Sequence, residues 1–275
     1  RRSILEALEG IRDPQLKKCI ERYTESIEFV HELEELSCSL QLNDNSQLQF
    51  IKSIKGIKQF QYLQKLSLAN AQIQDLSELA YLKDLRELDL SQNSIININS
   101  LGSLSKLKKL NLANNAISNI SVINKFEDLE EMNFDSNNIS NFIATREFEK
   151  LKILNLSGNN LKDISFIKSM PNLISLNLSH NHIADINSVV HCKKLKNLNL
   201  KSNHLVKIQS LNGLENLKRI NLDFNQGISC IDLQVIKAKH PDILDSHFIE
   251  PNVCSKKIHN IRPKEKSFWK FWKRK

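Results

Sequence analysis

Signatures of the common catalytic sites are absent from this sequence. It contains no GxGxxG or GxxxxGKS/T loop, in which glycines let the backbone approach a phosphate group, and no GxSxG or HExxH motif. These absences exclude the usual nucleotide-binding enzymes, hydrolases with a nucleophile elbow, and zinc proteases. We therefore expect a protein that is not an enzyme, with no catalytic residues and no cofactor.

Cysteine is scarce, and its spacing suggests no pairing. The five cysteines, Cys19, Cys38, Cys192, Cys230 and Cys254, are odd in number and form no CxxC pair. This pattern is typical of a reducing compartment and argues against a disulfide framework. We therefore expect an intracellular protein, located in the cytoplasm or at the periphery of a membrane, with the nucleus as an alternative.

Long apolar runs are absent as well. No stretch approaches the roughly 18 residues that a transmembrane helix needs, and the opening residues, RRSILEALEG, lack the apolar core of a signal peptide. The sequence does not begin with Met, so both expectations apply only to the residues given.

Leucine recurs with a fixed period of 22 residues. Each unit follows the pattern LxxLxLxxNxIxxIxxLxxLxx, as in LKKLNLANNAISNISVINKFED from Leu107 to Asp128. The LxL part alternates apolar and polar residues, which predicts a half-buried strand, and apolar residues at every third position then predict a tight 3₁₀ return. Such units are stable only when stacked in a solenoid. The period is carried by Leu63, Leu85, Leu107, Leu129, Leu151, Leu173, Leu195 and Leu217.

These motifs resemble the leucine-rich repeat family, specifically its 22-residue class named after a regulator of protein phosphatase 1. The resemblance covers about residues 63–238. It implies an α/β fold: a horseshoe-shaped solenoid with a concave parallel β-sheet, a convex side of short helical or 3₁₀ segments, and a helical cap at each end. It also implies a scaffold that binds a protein partner.

The chain divides into five predicted parts. Asp13-Pro14 is a good helix start, and apolar residues at helical spacing from Leu16 to Leu33 predict one helix that covers the first repeat. The stretch LQLNDN, residues 40–45, looks like the strand of a degenerate repeat. The predicted parts are a helical N-terminal cap (1–36), a degenerate zeroth repeat (37–62), eight 22-residue repeats (63–238), a C-terminal cap (239–254) and a basic aromatic tail (255–275).

Two rows of polar side chains recur at fixed positions of the unit. The ninth-position asparagine should satisfy backbone groups at the end of each strand, and because the first repeat has Ala71 there, this ladder should begin one turn late. His182 and His204 share the tenth position of neighbouring repeats, so their rings should stack about 5 Å apart. No third ligand is evident, and we expect surface histidines rather than a metal site.

The side chains that flank the strand leucines should point out of the concave face. Small polar residues dominate there, which leaves two hypotheses: exposed asparagines retained for a polar partner, or a face with no partner. Charged residues cluster toward the two ends. The candidate partner-binding residues are Lys65, Arg86, Glu87, Asp89, Lys109, Glu131, Asp135, Lys201, Arg219, Asp223 and Phe224.

The tail KSFWKFWKRK contains both tryptophans, and residues 255–275 carry the whole excess of positive charge. As a helix it would place aromatic and basic side chains on opposite faces, which predicts binding to an anionic membrane. The alternatives are packing on the solenoid, nuclear import, or a calmodulin-type target helix. The candidate membrane-binding residues are Lys266, Phe268, Trp269, Lys270, Phe271, Trp272, Lys273 and Arg274.

The function predicted from the sequence is a monomeric, non-enzymatic scaffold. Residues 1–254 have no net charge, so we expect no nucleic-acid binding by the horseshoe. The alternative is a non-catalytic part of an enzyme complex, either a protein phosphatase 1 regulator or a subunit similar to the α subunit of Rab geranylgeranyl transferase.

Overall fold

A computed structural model describes residues 2–38, 41–42 and 48–240. Within these residues the chain forms a solenoid built on a nine-stranded parallel sheet, whose strands follow one another in chain order apart from a two-stranded insertion after the first. The predicted fold class is therefore confirmed. The strands of this sheet are β1 (Glu35–Ser37), β4 (Lys65–Ser67), β5 (Glu87–Asp89), β6 (Lys109–Asn111), β7 (Glu131–Asn133), β8 (Ile153–Asn155), β9 (Ser175–Asn177), β10 (Asn197–Asn199) and β11 (Arg219–Asn221); β2 (Gln41–Leu42) and β3 (Leu48–Gln49) form the insertion.

Strand register follows the 22-residue period of the sequence. From β4 onward, each residue lies opposite its equivalent in the next repeat, as Lys65 lies opposite Glu87 and Leu66 opposite Leu88. The central residue of each strand is buried, and its two neighbours face the concave side. The predicted outward rows are thus correctly assigned to the concave face.

Short 3₁₀ segments form most of the convex side, as predicted. Residues 134–150, all of them described, contain no such segment; in this repeat Phe142 packs against Phe148 and Phe166 at ring-centroid distances of 6.3 and 5.4 Å. Bulky rings therefore fill the space that a regular return occupies elsewhere. The 3₁₀ segments are Val30–Glu32, Ile57–Gln59, Ser77–Tyr81, Asn99–Ser103, Ser121–Lys125, Ser165–Ser169, Asn187–His191 and Gln209–Gly213.

The ninth-position asparagines form the predicted ladder. Asn93 accepts a hydrogen bond from the backbone N–H of Ile73 at 3.0 Å, and its amide donates to the carbonyls of Leu68 and Leu90 at 2.9 and 3.0 Å. The same pattern recurs in each later repeat up to Asn225. Each asparagine thus satisfies the backbone of its own repeat and of the one before it. The ladder begins at the second regular repeat, as predicted, because the first has Ala71 at this position.

The N-terminal cap differs from the single long helix that we predicted. It contains α1 (Ile4–Leu8) and α2 (Pro14–Tyr23), and Val30 lies in a 3₁₀ segment. The helix ends where Thr24 turns its hydroxyl back onto the carbonyl of Ile20 at 2.9 Å. Apolar residues beyond that point, such as Val30 and Leu33, are buried without being helical.

Asp13 is the N-cap of α2, as predicted, and it also docks the cap onto the solenoid. One carboxylate oxygen accepts from the N–H groups of Gln15 and Leu16 at 2.9 and 3.1 Å. The other oxygen accepts from the backbone N–H groups of Lys52 and Ser53 at 2.8 and 3.2 Å. A single buried carboxylate therefore joins the helix to the chain that leads into the first regular repeat.

The strand of the degenerate repeat lies earlier than predicted. β1 pairs in parallel with β4, with Leu36 opposite Leu66 and its side chain buried. Gln41–Leu42, inside the LQLNDN stretch, pairs instead with Leu48–Gln49 as an antiparallel ribbon. The first unit is longer than the others. Its strand, β1, includes residues on both sides of the boundary that we predicted between residues 36 and 37.

The expectation that the cysteines would be unpaired is wrong. Cys19 on α2 and Cys38, directly after β1, form a disulfide with a Cα–Cα distance of 5.9 Å. Cys230, at the start of α3 (Cys230–Lys239), is disulfide-bonded as well. Both sulfurs of the first pair are brought together by tertiary docking of the cap, which the spacing of the cysteines does not reveal.

A helix closes the C-terminal end. Ser229 is the N-cap of α3, and its hydroxyl accepts from the N–H of Asp232 at 3.1 Å. The helix packs against the last 3₁₀ segment. The rest of the predicted C-terminal cap and the whole tail, including its eight candidate membrane-binding residues, lie outside the described residues. None of the helices described here has both the length and the apolar character needed to cross a bilayer.

We expect Asn159→Ala to lower the free energy of unfolding by about 2–4 kcal/mol. The substitution removes the acceptor of the Ile139 N–H and the donor to the Phe134 and Leu156 carbonyls, all buried. Chemical denaturation measures the loss. Asn160→Ala is the matched control, because this neighbour is exposed, and it should change stability by less than about 0.5 kcal/mol. Equal effects of the two substitutions would contradict the ladder.

Removing the Cys19–Cys38 bond should lower stability by about 3 kcal/mol, because the bond closes a loop of 19 residues in the unfolded chain. Urea denaturation of the Cys19→Ala/Cys38→Ala variant measures this effect. Hydrogen exchange should quicken first in α2 and β1. A protein whose wild-type Cys19 and Cys38 both react with a thiol reagent under native, non-reducing conditions would contradict the pairing.

Candidate functional site

A groove occupies the N-terminal half of the concave face. It encloses about 400 Å³ and runs across β1, β4, β5, β6 and β7. The candidates Lys65, Glu87, Asp89, Lys109 and Glu131 all line it. We call this region the N-terminal groove, defined by Tyr23, Glu35, Lys65, Glu87, Asp89, Lys109 and Glu131.

Charges of alternating sign run along the first strand position of the groove. Glu35 pairs with Lys65 at 2.6 Å, and Lys109 lies between Glu87 at 4.0 Å and Glu131 at 3.6 Å. The hydrogen bond from Lys65 to Glu35, together with the negative charge of that carboxylate, raises the pKa of Lys65 above its usual value. In-register stacking therefore places each of these charges beside an opposite one on a neighbouring strand.

Not every candidate in this half faces the groove in the same way. Asp89 accepts hydrogen bonds from the N–H and hydroxyl of Ser91 at 2.9 and 2.7 Å, so one of its oxygens serves its own strand. Arg86 is exposed one residue before β5 and does not line the groove. Asp135 is half-buried just after β7 and also lies outside the groove lining.

The fifth-position asparagines form a second ladder along the concave face. Asn155 accepts from the N–H of Ser157 at 3.0 Å, and Asn177 from that of Ser179 at 3.1 Å, closing a turn at the end of each strand. In β7 to β10 these asparagines are buried. The middle of the face therefore uses its asparagines for its own backbone, which contradicts the hypothesis of exposed asparagines there. The members are Asn111, Asn133, Asn155, Asn177, Asn199 and Asn221.

The remaining candidates form a separate group at the C-terminal end. The ammonium of Lys201 lies 5.2 Å from the centre of the Phe224 ring, a cation–π arrangement. Arg219 begins β11, and Asp223 follows its end. Phe224 is 57 % exposed and has a φ of 57°, the left-handed conformation shared by the eighth residue of every regular repeat. A bulky aromatic residue is an unusual occupant of that conformation.

Tyr23 and Glu35 line the groove but are not among the residues predicted from the sequence. Tyr23 is the last residue of α2, is 43 % exposed and lines the groove. Its helical spacing with Leu16 and Ile20 indicated a buried stripe, because we expected the helix to continue. Glu35 was not predicted because we expected the first strand in residues 40–45, whereas β1 begins at Glu35.

Two histidines and a free thiol lie outside the groove. His182 and His204 stack with ring centroids 5.5 Å apart. Among the described residues, no three histidine, cysteine or acidic side chains form a group able to hold a metal ion. Cys192 is a buried free thiol, and burial raises its pKa to about 12, so it stays protonated at neutral pH.

Comparisons with known proteins agree with this geometry. A family model for leucine-rich repeats matches residues 61–106, 83–125 and 149–191. The chain contains leucine-rich repeats. No curated protein matches the sequence.

Several solved structures share the fold. An internalin C2 from Listeria monocytogenes is 24 % identical, with a TM-score of 0.72 over 80 % of this chain and 99 % of its own. A leucine-rich repeat protein of Leptospira interrogans is 24 % identical, with a TM-score of 0.61 over 73 % of this chain and 58 % of its own. The ectodomain of the Arabidopsis thaliana receptor kinase GASSHO1/SCHENGEN3, solved in complex with Casparian strip integrity factor 2, is 25 % identical, with a TM-score of 0.54 over 61 % of this chain and 22 % of its own.

Replacing Phe224 tests whether its backbone conformation is strained. Phe224→Asn should raise stability by about 0.5 kcal/mol, since relief of the left-handed backbone gives about 1 kcal/mol and loss of the contact with Lys201 costs about 0.5 kcal/mol. Phe224→Ala loses the contact without the relief, so it should be less stable than the asparagine variant. Thermal denaturation compares the two, and an alanine variant as stable as the asparagine variant would contradict the strain.

Proposed function

We propose that the protein is a binding module that holds a protein partner in the N-terminal groove. One observation carries the proposal: this half of the concave face combines an open recess, a row of alternating charges and an exposed tyrosine, Tyr23. Apart from the half-buried Ile153, the neighbouring strands β8 to β10 instead present small polar residues that are mostly buried. The groove is thus the part of the concave face best suited to contact another molecule.

The charges of the groove are available to a partner. The pairs formed by Glu35, Lys65, Glu87, Lys109 and Glu131 are each exposed by a third or more. Exposed ion pairs contribute only about 0–1 kcal/mol, so replacing one with a pair to a partner costs little. A protein segment of mixed charge would therefore find complementary groups on successive strands, with spacing set by the sheet.

Tyr23 supplies the apolar contact that the charges lack. Tyrosine offers a large, rigid surface with a polar tip, and it is enriched among residues that dominate binding energy. Its position on the cap places it at one end of the groove rather than on its floor. The partner should therefore contact the N-terminal cap as well as the sheet.

The comparisons support a binding role in general terms. Leucine-rich repeat folds commonly mediate interactions between proteins, and the Arabidopsis ectodomain was solved in complex with another molecule. The membrane role of residues 255–275, the regulatory-subunit alternative and the monomeric state remain predictions from the sequence.

We also propose that the protein works in an oxidising compartment, in place of the intracellular location that we expected. The support is the disulfide between Cys19 on α2 and Cys38 after β1, both of them buried. Disulfides persist in secreted, periplasmic and cell-surface proteins and are rare in a reducing cytosol. The one described cysteine known to be free, Cys192, is buried in the core.

Site-specific photo-crosslinking tests the groove. A photoreactive residue placed at Lys109 should give a discrete crosslinked product in extracts of the native source, and the Tyr23→Ala/Glu87→Lys background should reduce its yield several-fold. Two controls are matched: the same photoreactive residue at Ser140, which is exposed and away from the groove, and Arg219→Glu as a charge reversal outside it. Equal yields from Lys109 and Ser140, or an unchanged yield in the double variant, would contradict the proposal.

A further inference from the structure

We propose that His182 and His204 form a binding site for a zinc ion on the surface of the sixth and seventh regular repeats. The site is separate from the N-terminal groove, and neither histidine belongs to the groove lining. It therefore does not depend on the function proposed above.

The distance between the two facing ring nitrogens suits a shared metal ion. Nδ1 of His182 lies 3.3 Å from Nε2 of His204. Two ligand nitrogens about 2.05 Å from one zinc ion, at the tetrahedral angle, lie about 3.3–3.4 Å apart. A right angle, as in octahedral or square-planar sites, would bring them to about 2.9 Å, so a tetrahedral ion such as zinc requires the smaller change in the nitrogen–nitrogen distance.

The backbone holds both histidines in place. Each occupies the tenth position of its repeat, and their N–H groups bond to the carbonyls of Leu161 and Ile183 at 2.9 and 2.8 Å. Stacked repeats align equivalent residues about 4.8 Å apart. The two rings are accordingly near parallel, with an interplanar angle of 15°. This preorganisation lowers the entropic cost of bringing two ligands to one ion.

Both rings can direct a lone pair at one ion. In the free protein the two facing nitrogens share one hydrogen, with one ring donating and the other accepting. Zinc takes the place of that hydrogen, which moves to the outer nitrogen of the same ring. Both side chains are exposed, so small ring rotations can turn the two lone pairs toward a point on the solvent side.

The surroundings leave the other coordination positions open. The pair lines a surface recess together with His180, Phe224 and Gln226. No carboxylate joins the two histidines in a group of three ligands within the described part of the chain. Two water molecules, or one water and a carboxylate from another molecule, would complete the tetrahedron around an ion held by two histidines.

Zinc titration of the full chain by isothermal calorimetry, with imidazole NMR, tests the site. We expect one zinc ion per chain with micromolar affinity, simultaneous shifts of the His182 and His204 ring signals, and reversal by a chelator. His182→Asn and His204→Gln should each weaken zinc binding by more than about tenfold. Both substitutions are mild, because Asn160 and Gln226 occupy the same position in the adjacent repeats.

His191→Gln is the control, since this exposed histidine lies on the 3₁₀ segment of the same repeat, with Nδ1 3.1 Å from the carbonyl oxygen of Ser188. It should leave zinc affinity unchanged. The proposal is overturned if the wild-type protein binds zinc no better than the His182→Asn/His204→Gln variant, or if His191→Gln weakens binding as much as either substitution in the pair. Unchanged thermal stability of the variants without zinc excludes misfolding as the cause.

Discussion

The fold depends on how backbone polar groups are satisfied where each strand turns into its return segment. No repeat can satisfy them alone, because the asparagine that bonds to the Leu68 carbonyl and the Ile73 N–H is Asn93, in the following repeat. A buried amide or carbonyl without a partner costs about 1–3 kcal/mol, so each repeat requires its neighbour. The leucine core has the same requirement, since a single unit buries too little apolar surface to offset its ordering entropy. Stacking is therefore imposed by polar and apolar groups together.

A stack of this kind has two exposed ends, and the way the first end is closed also creates the candidate site. Asp13 caps α2 with one oxygen and anchors Lys52 and Ser53 with the other, while the Cys19–Cys38 bond joins α2 to β1. Those contacts bring Tyr23 and Glu35 to the end of the charged row. The groove is thus a product of the cap and the repeats, and loosening the cap would remove part of it without changing any residue of the regular repeats.

The regular part of the structure could be predicted from the sequence because its period fixes both register and facing direction. Leu66 and Leu88 lie opposite each other because they hold the same position in consecutive 22-residue repeats. The cap could not be predicted in this way. Val30 and Leu33 are buried at a spacing that also suits a helix, and the pairing of Cys19 with Cys38 depends on tertiary contact. The role of the fifth-position asparagines could not be predicted for another reason. An asparagine in the sequence does not show whether its amide faces a partner or bonds to its own backbone, and at Asn155 it bonds to the backbone.

The proposed function divides the concave face into two parts: in β8 to β10 the fifth-position asparagines bond to their own backbone, and the strands up to β7 are the proposed contact surface for a partner. Hydrogen–deuterium exchange of the full chain, with and without the captured partner, tests this division most directly. We predict slower exchange on binding around Tyr23, Glu35–Ser37, Lys65–Ser67, Glu87–Asp89 and Lys109–Asn111, with little change in Ser175–Asn177 and Asn197–Asn199. Protection confined to the convex 3₁₀ segments, or to β8–β11, would contradict it.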